Sequence, residues 1–258
     1  MRFSLKNKII LITGASSGIG EACAKIFAEQ GAKLLLCARR KDRLDALIKQ
    51  LEQNHQALCY AIQLDVRDQK AVDQAIHSLP AEWQAIDVLV NNAGLASGLT
   101  KIQDGHLEDW EKMIDTNIKG LLYMTHAVLP AMIKRNHGHV INIGSIAGHE
   151  TYPMGNVYCA TKHAVMALTK GFRHDLLGTP IRVSSVDPGM VETEFSIVRF
   201  KGDEARAKQF YQDMQPLVAE DIADAVYYCA SRPLHVNVLD LVITPTAQAS
   251  ATQVWRGK

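Results

Sequence analysis

Seven short apolar runs recur along the chain, and longer segments with helical periodicity separate them. Most of the runs are rich in Leu or in β-branched residues, and several are continuous rather than alternating, which is typical of strands covered on both faces. The predicted strands are Ile9–Thr13, Lys33–Ala38, Leu58–Leu64, Val88–Asn91, Val140–Ile143, Ile181–Val186 and Val236–Ile243. Because strands and helices alternate over the whole length, the chain is predicted to be an α/β protein with a parallel sheet and helices on both faces.

The segments between the runs place apolar residues on one helix face. Ala22, Ile26 and Phe27 share a face of the first predicted helix. The same kind of face is formed in the second helix by Leu44, Leu47, Ile48 and Leu51. Two longer helices are predicted, one from about Glu108 to Arg135 and one from Val157 to Leu177.

The segment from about residue 190 to residue 216 interrupts this alternation. It is charged, with Lys201-Gly202-Asp203-Glu204 near its centre. A mobile lid over the substrate and a plain surface excursion are both consistent with such a segment. Since no linker rich in Gly, Pro or Ser and no internal repeat is present, residues 1–258 are predicted to form one domain.

Charge and composition exclude several classes of protein. The 258 residues include 28 Lys+Arg and 27 Asp+Glu, which gives a formal net charge of +1. An almost neutral chain has no global field with which to gather polyanions, so nucleic acid is not predicted as a partner. An apolar share of 47% excludes a disordered chain. No run of about 18 apolar residues occurs, so no membrane-spanning segment is predicted.

The cysteines and the N-terminus indicate the compartment. The five cysteines are widely spaced: Cys23, Cys37, Cys59, Cys159 and Cys229. Their number is odd and neither a CxxC pair nor a zinc-ligand spacing appears, so buried thiols are predicted rather than disulfides or a metal site. The basic stretch Met1–Lys8 precedes an apolar run that is too short for a signal peptide, which favours a cytoplasmic protein.

A glycine-rich turn follows the first predicted strand and precedes an amphipathic helix. At this point an open α/β sheet binds a dinucleotide, because glycines let the backbone approach the pyrophosphate and the helix N-terminus favours its charge. The candidate cofactor residues of the turn are Gly14, Ser16, Ser17, Gly18, Ile19 and Gly20. The spacing is not GxGxxG, and such a turn can also be purely structural.

The end of the second strand indicates which cofactor fits. A site for NAD usually places Asp or Glu about 20 residues after the glycines, where it binds the ribose 2′-hydroxyl. Here the sequence has Arg39 and Arg40 instead. Two guanidinium groups suit a 2′-phosphate, so the pattern predicts NADP(H). The alternative is that both arginines are solvated at the entry to the next helix.

A tyrosine and a lysine stand four residues apart in a helical segment, which places Tyr158 and Lys162 on one face. A free tyrosine titrates near 10, and a neighbouring ammonium is expected to lower that pKa. The pair is therefore a candidate proton donor and acceptor. Ser145 follows the fifth strand, at the sheet edge where such folds place their sites, although a loop serine can also be a simple cap.

These motifs occur together and in order. Thr13-Gly14-Ala15-Ser16-Ser17-Gly18-Ile19-Gly20, Asn91-Asn92-Ala93-Gly94, Ser145, and YxxxK thirteen residues after that serine resemble the short-chain dehydrogenases/reductases. The resemblance covers essentially the whole chain. It implies a single-domain, doubly wound Rossmann fold with a seven-stranded sheet. It also implies a catalytic tetrad of Asn117, Ser145, Tyr158 and Lys162. The further cofactor contacts that it implies are Asp65, Val66, Asn92, Pro188, Gly189 and Thr193.

Three shorter segments are similar to one bacterial subfamily, the NADP-dependent 3-hydroxy acid dehydrogenases. They are Ser78–Trp83, Asn136–His139 and Val198–Asp203. This similarity implies small substrates such as serine, allo-threonine and 3-hydroxypropionate or malonic semialdehyde, and a homotetramer. The loop after Gly189 is about one residue shorter than in the subfamily, and it borders the substrate.

The expected reaction is hydride transfer between the nicotinamide and a carbinol or carbonyl carbon. The carboxylate of a 3-hydroxy acid needs a cation or hydrogen-bond donors, and Arg199 and Lys201 are the candidates, although both can equally be solvated. A 3-oxoacyl carrier-protein reductase and a general carbonyl reductase are alternatives within the same class. A non-enzymatic NADP(H) sensor is an alternative of a different class, although a sensor can dispense with the proton relay that this chain retains.

Overall fold

The strands form one parallel sheet in the computed structural model, which describes residues 3–257; the first two residues and the last residue of the predicted domain lie outside it. The order across the sheet is β3-β2-β1-β4-β5-β6-β7. The strands are β1 Ile9–Thr13, β2 Lys33–Ala38, β3 Cys59–Gln63, β4 Val88–Asn91, β5 His139–Ile143, β6 Arg182–Pro188 and β7 Asp240–Ile243. The predicted α/β class and the seven-stranded, doubly wound parallel sheet are confirmed.

Several strand limits differ from the prediction by one or two residues, and the start of β7 differs by four. β7 begins at Asp240 rather than at Val236. The amide of Val236 donates to the carbonyl of Pro233 at 2.8 Å, so Val236 closes a turn instead of joining the sheet. β6 continues to Pro188, which pairs in register with Ile243 at the edge where the site lies.

Helices cover both faces of the sheet. They are α1 Gly18–Glu29, α2 Lys41–His55, α3 Gln69–His77, α4 Leu107–Ile114, α5 Leu121–Lys134, α6 Asn156–Asp175, α7 Glu194–Arg199, α8 Glu204–Gln209 and α9 Ala219–Ala230. Alternate residues of β1 point to opposite faces. Ile10 and Ile12 pack with α1, α2 and α9, whereas Ile9 and Leu11 pack with α3 and α5. In the described part of the chain, no helix is long and apolar enough to cross a membrane.

The helix predicted from Glu108 to Arg135 is interrupted. A π-helical turn, Asp115–Gly120, separates α4 from α5. Such turns are frequent at functional sites because they re-aim side chains within a helix. Here the turn contains Asn117, and it brings Gly120 against Val66, whose Cγ2 would lie 2.6 Å from a Cβ on that glycine.

The segment that interrupts the alternation forms a closed excursion, which we term the lid segment (residues 190–216). A bridge between Val191 and Leu217 ties its two ends together. The amide of Leu217 donates to Met190 at 3.0 Å, and the amide of Glu192 donates to Leu217 at 2.8 Å. The segment folds into α7 and α8, and it buries Phe200 and other side chains against the rest of the protein.

Candidate active site

A crevice opens at the carboxyl ends of the neighbouring strands β1 and β4, where the strand order reverses. Its volume is about 680 Å³. Ligands bind open α/β sheets at this topological switch point. The crevice brings together the glycine-rich turn, both arginines, Asp65, Val66, Asn92, three of the tetrad residues and the start of the lid segment. Of the predicted site residues, Gly20 and Asn117 lie behind its wall.

The glycine-rich turn requires its glycines. Gly14 has a φ of +66°, a conformation that disfavours side chains. A Cβ on Gly20 would lie 2.4 Å from the carbonyl oxygen of Gly14, so only glycine lets the helix pack there. Asn92 fixes the turn to β4, because its Nδ2 donates to the carbonyl of Thr13 at 2.9 Å. The backbone of the turn is thus held by the neighbouring strands.

The two predicted 2′-phosphate arginines occupy different positions. Arg40 donates to Ser17 Oγ at 2.8 Å and to Ser16 Oγ at 3.2 Å, which draws it onto the glycine-rich turn. Arg39 is exposed at the crevice edge. Arg40 also contacts Glu194 of the lid segment at 3.2 Å. A guanidinium flanked by serine hydroxyls is a suitable cradle for a phosphate.

Sequence reasoning missed Glu194 and Arg43. Arg43 Nη1 lies 2.6 Å from Glu194 Oε1. The hydrogen bond from Arg43 is the largest cause that holds the pKa of the Glu194 carboxyl below its usual range; burial opposes it, and Arg40 adds to the lowering. Residues 151 positions apart form this pair, so no local pattern could have revealed it.

Asp65 and Val66 also line the crevice. Asp65 forms an ion pair with Arg67 at 2.6 Å, and the Arg67 hydrogen bond lowers the pKa of this carboxyl. Val66 is buried. An aspartate and an apolar side chain at this position suit the adenine ring of a dinucleotide.

Tyr158, Lys162 and Ser145 meet at the inner end of the crevice. Lys162 is buried, and its Nζ donates to the carbonyl of Ile143 at 2.8 Å. That Nζ lies 6.0 Å from the centre of the Tyr158 ring. Ser145 Oγ donates to the carbonyl of Pro188 at 3.3 Å and also accepts from Ala147 N, so it caps the short turn that follows.

Burial controls the acid–base properties of this pair. It raises the pKa of Tyr158 above its ordinary value, while the hydrogen bond with Ser145 and the charge of Arg199 act in the opposite direction. The ammonium of Lys162 is engaged with a backbone carbonyl rather than with the phenol. The net lowering of the Tyr158 pKa that the spacing suggests is therefore not found, because burial outweighs the effects that lower it.

Lys162 should make the free energy of unfolding depend on pH. Burial lowers its pKa from 10.5 to about 8, and Asp187 partly opposes this effect. Between these values the unfolded chain binds more protons than the folded protein, so the contribution of this residue to stability improves as pH rises. Relative to Lys162→Met, the wild type should gain about 2 kcal/mol between pH 7 and pH 9.5. Urea denaturation of both proteins at both pH values measures this change, and a pH-independent difference would contradict it.

Asn117 lies outside the crevice and connects two of the segments that form it. Its Oδ1 accepts from the amide of Leu95 at 2.8 Å, and its Nδ2 donates to the carbonyl of Leu95 at 2.8 Å. Nδ2 also donates to Thr161 at 3.0 Å, on the helix that carries Tyr158 and Lys162. The side chain therefore joins the loop after β4 to α6.

The loop after β6 is held by the C-terminal segment. The amide of Gly189 donates to Ile243 at 2.7 Å, and Gln248 Oε1 accepts from the amide of Met190 at 2.8 Å. Thr193 caps α7 and packs on the glycine-rich turn, since its Cβ would lie 3.3 Å from a Cβ on Gly18. Gln248 was not predicted from the sequence, because nothing in the final 15 residues resembles a motif.

The two predicted carboxylate-binding residues lie in different environments. Lys201 is exposed and forms an ion pair with Asp109 at 2.8 Å, so it anchors the lid segment and does not line the crevice. Arg199 is buried and lines it. Its guanidinium carbon lies 5.4 Å from the ring centres of both Tyr152 and Tyr158. The interpretation of Lys201 as a substrate ligand is therefore wrong.

Arg199 is a buried cation with spare hydrogen-bonding capacity. It donates to the hydroxyl of Tyr152, but its Nε has no hydrogen-bond partner. Within residues 3–257 it forms no ion pair. A buried charge is stable only when it is paired, so this arginine is suited to receive an anion beside Tyr158. No cluster of three His, Cys, Asp or Glu side chains suited to a metal occurs in the described residues.

The family model for the short chain dehydrogenase matches residues 8–204. The chain belongs to the short-chain dehydrogenase family. The NADP-dependent 3-hydroxy acid dehydrogenase YdfG of Escherichia coli (strain K12) is 49% identical over 244 residues, which cover 94% of this chain and 97% of that protein. Sulfoacetaldehyde reductase 2 of Chromohalobacter salexigens is 48% identical over 242 residues, with 93% and 95% covered. The closed form of a serine dehydrogenase complexed with NADP⁺ superposes with a TM-score of 0.91, at 48% identity, over 97% of this chain and 100% of that one.

Proposed function

We propose that this short-chain dehydrogenase is an NADP-dependent oxidoreductase that interconverts an alcohol and a carbonyl in small 3-hydroxy acids. The observation that carries the proposal is Arg199, a buried guanidinium with an unpartnered donor beside the Tyr158 ring. The relatives support it, since one is named for 3-hydroxy acids and another for the anion sulfoacetaldehyde. Serine, allo-threonine and 3-hydroxypropionate or malonic semialdehyde have the required size and charge.

The residues of the crevice fit NADP(H). Arg40, Ser16 and Ser17 form a donor-rich cradle for the 2′-phosphate, with Arg39 at its edge. The turn from Gly14 to Gly20, including Ile19, would hold the pyrophosphate at the N-terminus of α1. Asp65, Val66 and Asn92 would contact the adenosine half and the adjoining ribose. Pro188, Gly189 and Thr193 would contact the nicotinamide, together with Tyr158 and Lys162 at its ribose.

When bound, NADP⁺ supplies the hydride acceptor and NADPH the hydride donor. Tyr158 would exchange a proton with the substrate oxygen, donating it to a carbonyl in reduction and accepting it from an alcohol in oxidation. Ser145 would donate a hydrogen bond to that oxygen and orient it. Lys162 would hold the nicotinamide ribose, and Asn117, by family resemblance, would help to connect Lys162 to solvent.

The oligomeric state and the cellular location are proposed on more general grounds. The family resemblance and the exposed apolar residues of the β7 edge, Leu239 and Val242, support a homotetramer. All five cysteines are free thiols, which supports a cytoplasmic location. We also propose that the whole chain acts as one domain, with residues 190–216 serving as a substrate lid.

A substrate panel tests the proposal. NADP⁺-coupled absorbance should rise with serine, allo-threonine, 3-hydroxypropionate and 3-hydroxybutyrate, and much less with NAD⁺. An acyl thioester and a bulky neutral ketone, assayed with NADPH, cover the two alternatives within the class, a carrier-protein reductase and a carbonyl reductase. Turnover confined to either of those substrates would contradict the 3-hydroxy acid proposal. Cofactor binding without turnover of any substrate would indicate the NADP(H) sensor.

A further inference from the structure

All three nitrogens of the Arg40 guanidinium are already engaged. Nε donates to Ser16 Oγ at 3.3 Å, and Nη2 donates to Ser16 and Ser17. Nη1 donates to Glu194 Oε2 at 3.2 Å. These contacts use four of the five N–H donors, so a 2′-phosphate that takes both Nη1 donors must replace Glu194. The serine hydroxyls can also serve the phosphate as donors, whereas the Glu194 carboxylate can only repel it.

Glu194 is fixed in this position by the start of the lid segment. It follows Thr193, which packs directly on Gly18 of the glycine-rich turn. Its carboxylate contacts Arg40 and Arg43, on the side where the 2′-phosphate cradle is formed. The charge is retained at neutral pH, because Arg43 and Arg40 lower the pKa of this carboxyl.

Arg43 provides a second partner for the same carboxylate. Its contact with Glu194 is the shorter one, 2.6 Å against 3.2 Å for Arg40. Both ion pairs are partly exposed, with about two-fifths of each side chain in solvent, so neither is expected to be strong. Arg43 can retain Glu194 while Arg40 turns to another anion.

We propose that Glu194 and Arg43 set the affinity for the 2′-phosphate by a partner exchange at Arg40. This inference rests on the proposed NADP dependence. In the exchange, Arg40 releases Glu194 and binds the phosphate, and Arg43 holds the carboxylate away from it. Glu194 thus weakens NADP(H) binding, and Arg43 limits that weakening without touching the phosphate.

The test is a double-mutant cycle on the full-length enzyme, with equilibrium dissociation constants for NADPH and NADH read from nicotinamide fluorescence. Glu194→Gln should tighten NADPH about fivefold, because a like charge near the phosphate is removed, and should leave NADH unchanged. Arg43→Ala should weaken NADPH by about threefold, through the carboxylate left on Arg40. In the Glu194→Gln background that effect of Arg43→Ala should vanish.

The matched control is Glu192→Gln, which removes the same charge two residues earlier, at an exposed position. It should leave the NADPH constant unchanged. Weaker NADPH binding by Glu194→Gln, or an Arg43→Ala effect that persists in the double variant, would overturn the inference. Equal wild-type affinities for NADPH and NADH would contradict the proposed cofactor itself, whereas an NADPH preference that Glu194→Gln leaves unchanged would contradict this inference alone.

Discussion

Tyr158→Phe should reduce kcat by about a thousandfold while NADPH binding stays within about twofold of wild type. The substitution removes the hydroxyl and keeps the ring. The ring packs edge-on against Phe195 at 5.7 Å between centres and beside the Arg199 guanidinium, so the fold and the anion site should persist. What is lost is the group that exchanges a proton with the substrate oxygen. Steady-state turnover measures the change in kcat, and NADPH fluorescence titration measures the affinity for the cofactor.

Tyr152→Phe is the matched control for that variant. Tyr152 lies in the same crevice and its hydroxyl also contacts Arg199, but it is not the tyrosine of the tyrosine–lysine pair. Its loss should change kcat by less than about tenfold, because only the placement of Arg199 is disturbed. A near-normal kcat for Tyr158→Phe would defeat the assignment of the proton donor. Comparable losses in both variants would mean that the pocket, rather than one hydroxyl, was disturbed.

The fold was predictable because its determinants are local and repeated. Continuous apolar runs identify strands covered on both faces, and each strand was found close to its predicted position. The π-helical turn around Asn117 was not predictable in this way. The spacing of apolar residues is nearly the same on either side of the turn. The turn is associated instead with a tertiary contact, the hydrogen bonds between the Asn117 side chain and the backbone of Leu95.

The site was predictable where a motif carried it and not where distant charges met. The tyrosine, lysine and serine converge as expected, and the glycine-rich turn lies at the carboxyl end of β1. The pairing of Arg43 with Glu194 depends on how the lid segment returns across the crevice. The pKa of Tyr158 depends on burial, which the four-residue spacing to Lys162 does not reveal. The sequence alone does not distinguish Arg199 from Lys201 as carboxylate-binding residues. Their burial and their contacts in the folded protein do.

Arg199→Met should raise KM for acidic substrates by about a hundredfold, with a smaller change in kcat. Methionine retains the apolar stem of the side chain and removes the guanidinium that lies 5.4 Å from the Tyr158 ring centre. The carboxylate of a 3-hydroxy acid would then lose its charged partner, whereas a neutral substrate has no such partner to lose. Kinetics with 3-hydroxybutyrate and with its methyl ester separate these two cases.

The variant Lys201→Met is the control for a nonspecific effect of removing a positive charge from the lid segment. It removes the same charge two residues later, where the side chain is exposed and pairs with Asp109, so KM for both substrates should stay near wild type. Because Arg199 is buried, circular dichroism and NADPH affinity must first show that Arg199→Met is folded. An equal rise in KM for the acid and its ester would mean that the lid segment has shifted rather than lost an anion contact. An unchanged KM for the acid would remove Arg199 from the substrate site, and with it the physical basis for a preference for acids.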